Sequence, residues 1–365
     1  MNNLVLLGIV LFLVILLYKK IEVAKVNMIA FMIAIVYSST FLLNSYLNTI
    51  LELYGEVFKG MAISVIVIGL FLNINIIVRE WNEDSFYKRG ILYLIITTVM
   101  GALIVFTVSS FTKVGITVIP FTFTGGYFVV GAVIILILLF ILRKEEIYGV
   151  KKMVSLMQKG MPFIVFISTS LLIEINGLSA LSSIIIFFFS IVLVCFIQVF
   201  LVHSGFILIV KKENPIEYFL SISKALYYAF KSRSSGETSP ILAKEVAKTI
   251  NLSSSLVTHY SSKFVKVGMN ACNGIYPAFI GVFGLNLYGK DLSSINMILI
   301  ILSVIIASLA LQNMPGVASV SAVLVLIALG LPLDSLFIVL GIDYIIDKIR
   351  TTTNIAAVGA AIKIL

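Results

Sequence analysis

Apolar runs of about 18 residues or more, repeated along the chain, limit what it can fold into. Such runs recur near residues 27–46, 58–78, 90–111, 153–173 and 181–210, with shorter ones at 3–18 and 127–142. The chain has 365 residues, of which 60% are hydrophobic and 12% charged, and its mean hydropathy is +1.14. A soluble domain carries about 25% charged residues, and no soluble core of this length hides so much apolar surface. The runs therefore predict membrane-spanning helices, whose backbone groups are satisfied within each segment.

The formal net charge is +9. In a soluble protein that would suggest nucleic acid, but here the charge sits in clusters. These are Lys19, Lys20 and Lys25; Arg79, Lys88 and Arg89; Arg143, Lys144, Lys151, Lys152 and Lys159; and Lys211 with Lys212. Loops expected at 47–53 and 174–180 have no Lys or Arg, and 112–118 has only Lys113. That alternation follows the positive-inside rule. It predicts a multi-pass protein of the cytoplasmic membrane with its N-terminus outside and its C-terminus cytoplasmic, in contact with membrane lipid and not nucleic acid. The first run lacks a basic flank before it and a small-residue cleavage site after it, so it reads as a span rather than a signal peptide. Cys195 and Cys272 fit no metal-ligand spacing and read as small buried hydrophobes. His203 and His259 are isolated and read as structural. No nucleophile elbow, HExxH or phosphate loop is present, so the chain does not read as an enzyme.

After Lys212 the pattern changes. Two units, 216–250 and 296–331, each have two short apolar arms around a polar or Gly/Pro tip: KSRSSGETSP (231–240) and QNMPGVAS (312–319). That is how a re-entrant hairpin reads, although two ordinary loops would read similarly. Each unit precedes a polar-containing span, 257–289 and 333–364. Interrupted segments in paired positions point to a transporter's binding site. The division expected is therefore 1–210 for early spans and 211–365 for a transport core.

The last span holds Asp343, Asp347, Lys348, Arg350 and Asn354. One charge at the centre of a membrane helix costs about 2.5–3.5 kcal/mol, so four unpaired would cost on the order of 10 kcal/mol. Their spacing supplies partners: Asp343 and Asp347 are i, i+4, Asp347 and Arg350 i, i+3, Arg350 and Asn354 i, i+4, all on one face. A guanidinium fork suits a carboxylate and a carboxylate suits an ammonium, so an amino acid fits this face. A closed structural salt bridge is the other reading. Ser234, Ser235 and Gly236 offer a carboxylate cradle at a helix N-terminus, and Pro315, Gly316 and Ser319 offer one from the second tip.

SRSSGETSP, NACNGIYPAF, NMPGVASVSAVLVLIALGLP and GIDYIIDKIRTTTN, in that order, resemble the dicarboxylate/amino acid:cation symporter family. NGIYPAF and VHSGFILIVKKENPIEYF most resemble its bacterial L-cystine symporters. The resemblance implies an all-α membrane protein with a glutamate-transporter-homologue-like fold. Such a fold has eight core spans, two re-entrant hairpins and, here, an extra first span at 3–18, in a trimer that works as an elevator. It implies cation-coupled uptake of an amino acid, with L-cystine favoured and glutamate, aspartate or a C4-dicarboxylate as alternatives. The coupling ion would be sodium or a proton. Asp347 would hold the substrate ammonium and Arg350 a distal carboxylate, beside Thr351. Ser235 and the second tip would hold the main carboxylate. Asn354 would sit between substrate and ion, and Asp343 and Asn270 would serve the cation site.

The chain departs from the family at several points. The Asn-Met-Asp-Gly motif reads Gly268-Met269-Asn270-Ala271, Val358 stands where a carboxylate is expected, and Lys348 and Ile349 precede Arg350. Glu237 enters the first tip, and no third-span sodium signature is recognisable. Lys266 falls where an ion-site threonine would be. Its ammonium is a candidate replacement for one bound cation, against the alternative of a lysine snorkelling to the cytoplasmic end. These losses also leave open a non-transporting sensor or scaffold.

Overall fold

The computed structural model describes residues 2–41, 45–112, 146–250, 252–311 and 316–365, and all regular structure among them is helical. The early helices are α1 (Asn2–Tyr18), α2 (Val23–Ser38), α3 (Ser45–Glu83), α4 (Ser85–Phe111), α5 (Glu146–Asn176) and α6 (Ala180–Lys211). The span expected at 127–142 lies outside the described residues. Four helices among those described are long and apolar enough to cross a membrane: parts of α3 and α5, and the whole of α4 and α6. Their exposed faces carry Phe71, Phe189, Phe200 and Ile209, the side chains expected against lipid.

The boundaries differ from the sequence reading in one informative place. Residues 47–53, expected as a loop, lie inside α3. Tyr54 packs edge-on against Phe337 and stacks on Phe58, so the start of α3 has apolar partners that hydropathy along the chain does not show. Asp84 then ends the run. Its carboxylate accepts from the backbone N–H of Phe86 at 2.9 Å and Tyr87 at 3.0 Å, capping α4.

The C-terminal part is built from short helices. They are α7 (Pro215–Ser221), α8 (Ser223–Ser232), α9 (Ser235–Val246), α10 (Ser254–Val267), α11 (Tyr276–Leu287), α12 (Ser294–Ala310), α13 (Val317–Ala328), α14 (Asp334–Val339) and α15 (Asp343–Ile364). Helices α8 and α9 pack on each other around a two-residue turn. The polar tip is thus narrower than 231–240, because Ser234 Oγ accepts from Glu237 N at 3.2 Å and starts α9 at once. Helices α12 and α13 also pack together. Their connection, 312–315, lies outside the described residues, and with it Pro315.

The span at 257–289 is interrupted, as the sequence predicts. Helix α10 stops at Val267, a widened turn covers Asn270–Ile275, and α11 follows. Pro277 at its start has no N–H for the carbonyl four residues back, which suits a chain already leaving the regular ladder. The last span is also broken, between Val339 and Asp343. Buried apolar side chains gather in two clusters. One joins α2, α3, α5 and α6 to α11–α14, and the other joins the start of α4 to α7–α10 and the end of α15. Helix α4 belongs to both, and α15 runs from one to the other.

Candidate functional site

The first turns of α15 carry the charged face. Arg350 is 1% exposed. Its Nη2 donates to Asp343 Oδ2 and to Asp347 Oδ1, each at 3.1 Å. Its guanidinium carbon lies 3.9 Å from the centre of the Tyr276 ring. Asp343, expected among cation ligands, thus faces Arg350. The other two guanidinium nitrogens differ: neither Nε nor Nη1 has a hydrogen-bond partner among the described residues. Burying a cation costs several kcal/mol, which paired carboxylates offset. Buried donors left unmade cost about 1–3 kcal/mol more. A ligand carboxylate accepting from Nε or from Nη1 would recover part of this penalty through a charge-assisted hydrogen bond.

The broken span closes one wall. Asn354 Oδ1 accepts from Ala271 N at 2.8 Å and its Nδ2 donates to Cys272 Sγ at 3.1 Å. Asn354 therefore pins the widened turn, whatever else it contacts. Asn270 is fully buried. Its Nδ2 donates to Thr97 Oγ1 of α4 at 2.5 Å, and its Oδ1 has no partner among the described residues. Gln198 Nε2 donates to the Thr97 carbonyl at 2.8 Å, and its Oε1 is likewise unpartnered. Asn273 links the second helix pair: Ser321 Oγ donates to its Oδ1 at 2.9 Å, and its Nδ2 donates to Leu311 O at 3.4 Å.

The first tip reaches the same face through a residue the sequence reading passed over. Arg233 adopts φ +57° at the end of α8, and its Nη1 lies 3.5 Å from Asp347 Oδ2. It also pairs with Glu22 and lies over the Tyr344 ring at 4.6 Å. Its place beside SSGE in the first tip is visible in the sequence, but its approach to Asp347 is not. Tyr276 and Thr97 were missed too, because neither is charged and only the fold brings them to the site.

The remaining predicted residues fall as follows. Ser235 and Thr351 are buried, Ser234 caps α9, and Gly236 is exposed. Gly316 starts α13 at φ +75°, a conformation that suits glycine, and Ser319 is half-buried one turn on. Lys266 is exposed in the last turn of α10, apart from the buried cluster around Asn270. Val358 is buried beside Gly268. Cys195 and Cys272 are buried free thiols. Buried His203 accepts or donates at 2.6 Å with the Tyr93 hydroxyl.

A profile of the sodium:dicarboxylate symporter family matches residues 148–364. An uncharacterized symporter of Haemophilus influenzae is 35% identical over 159 residues, covering 43% of this chain and 36% of that protein. The L-cystine uptake protein TcyP of Bacillus cereus is 29% identical over 164 residues, covering 45% of this chain and 35% of that protein. The matches thus span little more than a third of the length of these relatives.

Proposed function

The chain belongs to the sodium:dicarboxylate symporter family, whose members are transporters and not enzymes, and we propose that it carries an amino acid with a cation across the cytoplasmic membrane. The observation that carries this reading is Arg350. The Nη2 of its buried guanidinium is held by Asp343 and Asp347, and its Nε and Nη1 are unpartnered among the described residues. A zwitterion with a second acid completes the set. Its carboxylate accepts from the unpartnered Nε–H or Nη1–H, and its ammonium competes with Nη2 for Asp347.

L-cystine is the favoured substrate, on the sequence motifs and on the name of the TcyP relative. Glutamate, aspartate or a C4-dicarboxylate is the alternative. The coupling ion, sodium or a proton, travels as a co-substrate. Asn270 Oδ1, beside Thr97, offers it a neutral oxygen, a donor type suited to a hard cation. In this reading α8–α9 and α12–α13 are re-entrant hairpins. They move with α10, α11 and α15 as an elevator against early helices that also form a trimer. The N-terminus lies outside and the C-terminus in the cytoplasm.

The test is uptake by the purified chain in proteoliposomes. Labelled L-cystine or L-aspartate accumulates under an imposed inward sodium or proton gradient. Binding without gradient-driven accumulation would turn the reading into that of a sensor, and neither binding nor uptake would remove it.

A further inference from the structure

Lys363 stands in the last turn of α15 with only 5% of its side chain accessible. Its ammonium has two partners. Nζ lies 2.7 Å from Glu213 Oε2 and donates to the Thr249 carbonyl at 2.9 Å. Glu213 precedes α7 and Thr249 follows α9, so these partners mark the entry and the exit of the α7–α9 unit. Nζ also lies 5.7 Å from the centre of the Tyr218 ring, and the Tyr218 hydroxyl donates to Gly359 O at 2.6 Å. A Cβ on Gly359 would meet Ile222 and Leu242, so α15 lies close against both arms of the unit. The arms are joined to each other as well, since Glu245 Oε2 accepts from Ala225 N at 3.1 Å.

The lengths on the two sides match. Thr249 is 14 positions after Ser235, the first residue of α9, and Lys363 is 13 positions after Arg350. At about 1.5 Å per residue each stretch spans about 20 Å. Helices α9 and α15 pack on each other, and both run from the charged face toward Lys363. A tie at their far ends therefore fixes their axial register. That register sets the first tip against α15, where Arg233 Nη1 lies 3.5 Å from Asp347 Oδ2. A cation suits the place, because the last carbonyls of both helices carry partial negative charge.

We propose that Lys363 is a positioning residue: it fastens the open end of the α7–α9 unit to α15 and so holds the first tip level with Asp347 and Arg350. Its consequence for substrate rests on the transport reading above. Groups from the tip and from α15 then travel as one body and meet a substrate at a fixed spacing. Without Lys363 the unit keeps its fold, joined by Glu245 and Tyr218, but its tip slides along α15 and the substrate groups lose their register.

The test uses the full-length chain, with backbone hydrogen exchange in detergent read by mass spectrometry and labelled L-cystine and L-aspartate uptake measured in proteoliposomes. Lys363→Met should speed exchange at residues 232–238 about tenfold and leave α12 and α13 unchanged. It should also raise the apparent KM about tenfold with little change in maximal rate. Lys363→Arg keeps the charge and the donors and should recover both. Glu213→Ala removes only the exposed partner, 51% accessible, and should move both readouts the same way to a smaller extent; it carries the test if Lys363→Met does not fold. Faster exchange spread over all helices, or no rescue by arginine, would overturn the positioning role. Wild-type uptake with an unmoved tip in the variants would remove that role and leave transport standing. A loosened tip with no wild-type binding or uptake would keep the role and remove the transport reading.

Discussion

The guanidinium carbon of Arg350 lies over the ring of Tyr276, 3.9 Å from its centre. The ring comes from the helix that follows the broken span, so the break positions the platform on which the buried cation rests. A desolvated contact of this kind contributes about 2 kcal/mol. The Tyr276 hydroxyl makes no hydrogen bond of good geometry among the described residues, so the ring face is its chief contact with Arg350. Tyr276→Phe should keep near-normal substrate affinity in uptake assays. Tyr276→Leu should raise the apparent KM by roughly tenfold or more. Equal loss in both variants would assign the role to the hydroxyl.

Asn354 makes a different kind of prediction, because both ends of its amide are used on one turn. Asn354→Ala orphans the Ala271 N–H in a fully buried place, a cost of about 1–3 kcal/mol. The thermal midpoint in detergent should fall accordingly. Cys272→Ala removes only a weak sulfur acceptor and should shift the midpoint far less. A reversed order would mean that the thiol, not the amide, secures the turn.

The charged face of α15 was legible in the sequence because helical spacing alone aligns Asp343, Asp347 and Arg350. The interruption at Gly268–Ile275 was legible from its Gly and Asn content. Arg233 was not, because its role depends on a left-handed turn that points it back at Asp347. Nor was Thr97, an ordinary residue in an apolar run until Asn270 is packed against it. The early helices were legible as apolar runs, but not their ends. The extension of α3 through residues 47–53 depends on Phe337, almost 300 positions away. Hydropathy is a local property, and the partners of Thr97, Arg233 and Tyr54 are not local.

Gly69 tests the packing of α3 on α12. A Cβ there would collide with the carbonyl oxygen of Ala310, a backbone atom that also accepts from Asn73 Nδ2 at 2.8 Å. Gly69→Ala must push the helices apart or weaken that hydrogen bond, and overpacking of this kind costs about 1–3 kcal/mol. Gly205 is the control: no atom lies within 4 Å of a Cβ built there. Gly205→Ala should be neutral or raise stability slightly, by about 0.5–1 kcal/mol. Thermal unfolding of the two variants side by side distinguishes a packing effect from a general helix effect.

Asp84 gives the protein a pH dependence outside the spans. Burial alone would raise its pKa. The N–H groups of Tyr87 and Phe86, the Tyr260 hydroxyl and the Lys263 ammonium outweigh that and hold the carboxyl below its ordinary value. The folded state therefore binds this proton less readily than the unfolded state does. The stabilisation from Asp84 is present above the unfolded-state pKa and is lost as pH falls through the lowered folded-state value. Asp84→Asn should lower the thermal midpoint near neutral pH, since the amide cannot hold the cap and Lys263 together with equal strength. The gap between wild type and variant should stay constant near neutral pH and narrow as pH falls below about 5 through the lowered folded-state value. Lys263 also pairs with Glu80 and lies 5.2 Å from the centre of the Tyr87 ring, so it stays in place in the variant. The change in the gap then reports Asp84 itself. A gap that stayed constant across this range would show that the carboxylate's charge contributes nothing at this turn.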